Sequence, residues 1–111
     1  MTTRPRLPRD LLAVLASLDD PKDLNRLLSD LFTASEIQSI RERWTIVKLL
    51  AGGESQRRVR DRVGVSVATV SRGSRQLQYG SGGFQLAFDT LAELELPHPG
   101  GNAVTAKRGR K

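Results

Sequence analysis

The sequence predicts an all-α domain. Apolar residues recur at helical spacing along most of the chain, helix start signals precede several of these stripes, and no β-type alternation of useful length occurs. With 111 residues, 38% of them apolar and 27% charged, the chain has the size of one folded domain. We expect six helices within residues 10–96, a flexible basic arm over residues 1–9 and a disordered basic tail over residues 97–111.

The first two predicted helices are rich in leucine and are separated by Asp20 and Pro21. Asp20 is a suitable N-cap, and Pro21 is tolerated at the first helical position because its missing N–H would be unpaired there. Nine of the sixteen leucines fall before residue 32. Six helices of roughly three turns each have little core of their own. We therefore expect the N-terminal helices to bury their apolar faces against another subunit, in a homodimer.

The third predicted helix begins near residue 34, because Thr33 and Glu36 have the spacing of a capping box. It carries Trp44 on its apolar stripe, where a tryptophan is more often a core residue than a ligand contact. Gly52 and Gly53 end it. The sixth helix follows a glycine-rich break at residues 79–83 and ends before residue 97.

Two short helices around Gly64 have the pattern of a helix-turn-helix, at about residues 55–77. Gly64 suits the sharp turn between them, and Ser55 and Ser66 are candidate N-caps. The positions expected to be buried are Val59, Val63, Val65, Val70 and Leu77.

Positive charge is concentrated on this predicted motif. The whole chain has a net charge of +6, and residues 55–76 hold six arginines against one acid, Asp61. Such an imbalance favours a polyanionic partner, and here it coincides with a turn glycine, two caps and apolar spacing. We therefore predict DNA binding, although an ordinary solvated face or a module that binds only proteins would also carry such charge.

Other classes of function lack the residues they need. The chain has no cysteine and a single histidine, His98, so thiolate or histidine metal sites and cysteine nucleophiles are excluded. An enzyme acting on nucleic acid would need a carboxylate cluster or a nucleophile with its base, and Asp61 stands alone in the basic segment. The longest apolar stretch, residues 11–18, is too short to span a bilayer. We expect a cytoplasmic protein that is neither an enzyme nor a metal protein and has no membrane partner.

Residues 55–76, SQRRVRDRVGVSVATVSRGSRQ, together with RWTIVKLL at residues 43–50, resemble the tryptophan (trp operon) repressor family. The Thr-Val-Ser-Arg-Gly-Ser run is close to the most specific motif of that family. The resemblance covers roughly residues 20–92. It implies an intertwined homodimer of six helices per chain that represses transcription at double-stranded operator DNA when L-tryptophan is bound as corepressor.

The resemblance also implies a tryptophan pocket, in which the indole lies between the guanidinium groups of Arg43 and Arg72. Guanidinium planes stack well on aromatic faces, and Arg72 can also pair with the ligand carboxylate. Gly73 is expected to leave room, since a Cβ there would point into the space of the indole. The remaining residues implied to bind the corepressor are Thr33, Phe32, Asp30 and Gln76.

For DNA, the family pattern points to the first helix of the motif and to the N-terminal end of the second. Small side chains at that end allow close approach to the major groove. Arg57 can read guanine O6 and N7, whereas Gln56 and Thr69 suit phosphates. The implied DNA-binding residues are Gln56, Arg57, Arg60, Val67, Ala68, Thr69 and Ser71.

One alternative keeps the fold and the DNA binding but not the tryptophan. A related branch of the family shares the pair Arg43 and Trp44 and a short link after the third helix, yet replaces the glycine that Gly73 matches. Gln76 also stands where a serine near the ligand amine is found in the enterobacterial repressor. The alternative is a regulator of the same fold that is constitutive or responds to another effector, with Arg43 and Arg72 solvated or facing phosphates.

Overall fold

The computed structural model describes residues 4–100. It contains six α-helices, and no β-strand is formed within those residues. The helices are α1 (Arg9–Ser17), α2 (Pro21–Leu31), α3 (Ala34–Ala51), α4 (Gln56–Val63), α5 (Val67–Tyr79) and α6 (Gly83–Glu93). The predicted all-α, six-helix fold is confirmed. The parts of the predicted arm and tail at residues 1–3 and 101–111, including the terminal basic run, lie outside the described residues.

The helix starts form where the sequence places their caps. Asp20 accepts a hydrogen bond from the Lys22 amide at 2.9 Å, and Pro21 opens α2. At α3 the Thr33 amide donates to Glu36 Oε1 at 2.8 Å, and the Glu36 amide donates to Thr33 Oγ1 at 3.2 Å. Each pairing satisfies amides that have no partner within the helix. The predicted cap of α2 and the predicted capping box of α3 are confirmed.

The chain divides into two compact units, Met1–Gln38 and Ser39–Lys111. The first unit holds α1, α2 and the first turn of α3, and none of its residues from 4 to 38 is buried. Leu12 and Leu31 are about half exposed, at 49% and 50%. The leucine stripes of this unit are therefore formed as predicted, and their residues are partly buried or exposed among the described residues.

The second unit has its own core. Ile46 of α3, Val59 of α4 and Val70 of α5 are almost completely buried and form one apolar cluster. Partly buried apolar residues pack around it, namely Leu49, Leu50, Val63 and Val65. Of the five positions expected to be buried in this segment, Val59 and Val70 are buried, whereas Val63, Val65 and Leu77 are partly buried. The cluster joins α4 and α5 to α3.

Aromatic packing attaches α6 to α3. The Trp44 ring centroid lies 5.7 Å from that of Phe88 and 6.5 Å from that of Phe84. Lys48 Nζ lies 5.3 Å from the centroid of the Trp44 ring, within the range of a cation–π contact. Trp44 is therefore a packing residue, as predicted. None of the described helices combines the length and the apolar content that crossing a membrane requires.

Candidate nucleic-acid interface

The α4–α5 pair, residues 55–79, is built by two caps and one tight turn. Ser55 Oγ accepts from the Arg58 amide at 3.2 Å, and Ser66 Oγ accepts from the Thr69 amide at 3.1 Å. Between them α4 ends at Gly64, whose φ of 80° and ψ of 36° lie in the left-handed region that glycine adopts at little cost. The sequence thus places a short turn between two capped helices, as expected.

A side-chain hydrogen bond joins the two helices. Ser71 Oγ donates to Gln56 Oε1 at 3.1 Å. The Gln56 amide group keeps its two N–H donors for an outside acceptor, whereas the Ser71 hydroxyl proton is already used. Of these two predicted contact residues, Gln56 is available to an anion and Ser71 fixes the position of Gln56.

The predicted DNA-binding residues separate into two groups. Arg57, Val67 and Ala68 are exposed, as is Gln56, and Val67 is 56% exposed although it is apolar. Arg60, Thr69 and Ser71 are half-buried and bonded inside the pair. The Thr69 hydroxyl lies 2.9 Å from Ser66 Oγ, and Arg60 Nε donates to Asp61 Oδ1 at 3.1 Å. The exposed group consists of one cation, one amide and two small apolar side chains.

Three of the six arginines of the segment are paired with acids. Glu54 contacts Arg58 and Arg62, and Asp61 contacts Arg60. Within the described part of the chain, no carboxylate lies within ion-pair distance of the other three, which are Arg57, Arg72 and Arg75. The charge count over residues 55–76 did not include Glu54, which lies one position before that segment. Its spacing of four residues from Arg58 and eight from Arg62 could have indicated the two ion pairs.

The residues predicted to bind tryptophan are divided between the two units. Arg43, Arg72, Gly73 and Gln76 belong to the second unit, and Arg43 and Arg72 are both exposed. The other three, Asp30, Phe32 and Thr33, belong to the first unit. Thr33 Oγ1 already accepts a hydrogen bond from the Glu36 amide of the capping box.

Gly73 lies beside the core of the second unit. A Cβ built on Gly73 would lie 2.9 Å from Ile46 Cγ2, and its role in leaving room for an indole stays a prediction. Gly73 lets α5 pack closely against α3. The sequence could not show this, because the neighbour of Gly73 belongs to a helix more than twenty residues away.

Comparisons with known proteins agree on one family. A sequence model described as Trp repressor protein matches residues 9–92. The uncharacterized protein YerC of Bacillus subtilis is 35% identical over 81 residues, which are 73% of this chain and 78% of that protein. The Trp operon repressor homolog of Vibrio cholerae is 38% identical over 78 residues, 69% of this chain and 73% of that protein. A crystal structure attributed to a Trp repressor of Staphylococcus aureus superimposes with a TM-score of 0.68 at 26% identity, covering 80% of this chain and 86% of that one.

Proposed function

The chain belongs to the Trp repressor protein family, and from this premise we propose that it is a sequence-specific transcriptional repressor that binds double-stranded operator DNA through α4 and α5 as a helix-turn-helix. The observation that carries the proposal is the exposed group on the α4–α5 pair. Arg57, Val67 and Ala68 are accessible on two helices whose relative position is fixed by a buried core and by the Ser71–Gln56 hydrogen bond. The proposed role is regulatory and not enzymatic.

The chemistry of these side chains suits a DNA groove. Val67 and Ala68 begin α5 and are small enough to let the helix backbone approach base edges, where an apolar surface can contact a thymine methyl group. Arg57 has no acidic partner in the described part of the chain, so its guanidinium is available for the two acceptors of a guanine. The two N–H donors of Gln56 suit a phosphate oxygen.

We also propose a homodimer, in which the first unit of one chain is covered by a second copy. None of residues 4–38 is buried in the single chain, although α1 and α2 carry continuous leucine stripes. A surface of this kind is typical of an interface that exists only in the assembled state. A two-fold dimer would present two copies of α5 to a palindromic operator.

L-Tryptophan is the proposed corepressor, held in the second unit between Arg43 and Arg72. Both guanidinium groups are exposed, and the described residues offer neither of them an ion pair, so their planar faces are available for stacking. The first-unit residues Asp30, Phe32 and Thr33 stay predictions from the family resemblance.

A second candidate function is a regulator of this fold that does not respond to tryptophan. The contact between Gly73 and Ile46 favours it, because close helix packing alone accounts for the glycine. In this hypothesis Arg43 and Arg72 remain solvated or face phosphates, and binding to the operator is constitutive or depends on another effector.

Calorimetric titration with L-tryptophan, other indoles and aliphatic amino acids separates the two functions. If the corepressor hypothesis is correct, the chain binds L-tryptophan, Arg43→Ala and Arg72→Ala each abolish binding, and Arg75→Ala does not. Arg75 is a matched control, since it is also an exposed arginine of α5 without an acidic partner in the described chain. Absence of heat with the parent chain, combined with tight binding to a duplex selected from a random-sequence library, would establish the second function.

A further inference from the structure

Glu54 connects the end of α3 to the start of α4 through its backbone. It lies in the short link between the two helices, and its amide donates to the Leu49 carbonyl at 3.1 Å, which satisfies a carbonyl of the last turn of α3. The next residue, Ser55, is the N-cap of α4. The position of Glu54 is therefore fixed by α3, while its side chain is free to reach α4.

The carboxylate of Glu54 holds two arginines of α4. Its Oε2 accepts a hydrogen bond from Arg62, and its Oε1 lies 3.6 Å from Arg58 Nε. Oε1 is shielded from solvent and has no hydrogen-bond partner, and the side chain is only 23% exposed. A shielded carboxylate without a nearby cation is costly, so its attraction for the two guanidinium groups is stronger than that of a fully solvated acid.

The other two arginines of α4 are held differently. Arg60 pairs with its sequence neighbour Asp61, whose side chain is 61% exposed against 23% for Glu54, so the acid of this pair is the better solvated of the two. Arg57 has no acidic partner among the described residues. The four arginines of α4 thus differ in how readily they can reach a DNA phosphate, a difference that a count of charges does not reveal.

We propose that Glu54 is a positioning residue for DNA binding: it pairs with Arg58 and Arg62, whose side chains are 74% and 55% exposed, and so competes with DNA phosphates for both guanidinium groups. The inference rests on the proposed DNA binding. Nonspecific affinity increases with the number of phosphates that a protein neutralises, whereas base reading depends on groups such as Arg57. By keeping two arginines from binding phosphates, Glu54 lowers the affinity for random DNA. The ratio of operator affinity to nonspecific affinity therefore increases.

Glu54→Gln tests this directly, because the amide is nearly the same size but carries no charge. The probe is a random-sequence duplex, and the measured quantity is the slope of log K against log salt concentration. Release of two arginines to phosphates steepens the slope by up to about 1.8, so that between 50 and 200 mM salt the variant loses about twelvefold more affinity than the parent. Glu93→Gln is the matched control, since it removes one exposed carboxylate of α6 and changes the net charge equally.

A second variant, Arg58→Ala with Arg62→Ala, tests the same ion pairs from the arginine side. We expect this variant to have the slope of the parent, and we expect the triple variant that also carries Glu54→Gln to show no steepening. Equal slopes for Glu54→Gln and Glu93→Gln, or a slope shallower by about 1.8 in the double arginine variant, would overturn the proposal. Failure of the parent chain itself to bind the duplex at 50 mM salt would instead overturn the proposed DNA binding.

Discussion

The two units of the chain use similar apolar content in different ways. In the second unit, Ile46, Val59 and Val70 are almost completely buried, and Phe88 is 4% exposed. In the first unit, none of residues 4–38 is buried, although most of the leucines of the chain lie there. Both units contain helices with side-chain N-caps: Asp20 and Thr33 in the first unit, and Ser55 and Ser66 in the second.

The difference teaches that local helix signals and a complete core are separate properties. Amphipathic helices derive most of their stability from the surface they pack against, rather than from their intrinsic propensity. The second unit supplies that surface within one chain and can position side chains for binding. In the first unit no described residue is fully buried, and the proposed homodimer would supply the surface that its leucine stripes lack.

The largest expected effect comes from placing charge on the stripe of the first unit. Leu24→Asp with Leu28→Asp should abolish dimer formation at micromolar concentration, because each leucine kept out of water contributes about 1.5–3 kcal/mol and a buried unpaired carboxylate adds a further penalty. Sedimentation equilibrium at low and high salt measures the state of assembly. Asn25→Asp with Ser29→Asp adds the same charges to exposed polar positions of the same helix and should leave the dimer intact. A monomeric parent chain would refute the homodimer.

In the second unit, two valines of one helix give a matched pair. Val70 is fully buried and Val67 is 56% exposed, three residues away on α5. Val70→Ala should lower the free energy of unfolding by about 2 kcal/mol, from two lost methyl groups and the cavity they leave. Val67→Ala should change it by less than about 0.5 kcal/mol. Chemical denaturation of both variants checks the difference, and equal costs would show that the cluster is not the core.

A smaller effect is expected at Gly73. In Gly73→Ala the new Cβ would lie 2.9 Å from Ile46 Cγ2, so that a buried branched side chain must shift. Overpacking of this kind costs about 1–3 kcal/mol, against a gain of at most about 1 kcal/mol in helix propensity. The net expectation is a loss of about 1 kcal/mol in the free energy of unfolding. Ile46→Leu removes the branch at Cβ, so the double variant Gly73→Ala with Ile46→Leu should recover part of that loss. If the free-energy costs of the two single substitutions simply add, the contact is contradicted.

Much of the fold could be predicted because its signals are local. The caps Asp20, Ser55 and Ser66, the turn at Gly64 and the packing role of Trp44 depend on residues within a few positions or on a single helical stripe. These predictions are confirmed.

The details of the site depend on neighbours from other elements. Ile46 beside Gly73 and Gln56 beside Ser71 are brought together only when α3, α4 and α5 pack. The contact between Gly73 and Ile46 could not be predicted for this reason, because periodicity shows which face of a helix is apolar but not which side chain fills a given gap. The state of assembly of the first unit likewise depends on a surface outside the chain.

Binding of the parent and of Arg57→Ala to two duplexes tests the central claim, that the second unit reads DNA through its exposed side chains. One duplex is selected by the parent from a random-sequence library, and the other is unselected. If Arg57 makes a bidentate contact to guanine, Arg57→Ala should weaken the binding free energy by about 1–3 kcal/mol on the selected duplex and by clearly less on the unselected one. Equal losses on both duplexes, or no loss on either, would contradict the assignment of Arg57 to base reading and with it the proposed function of the α4–α5 pair.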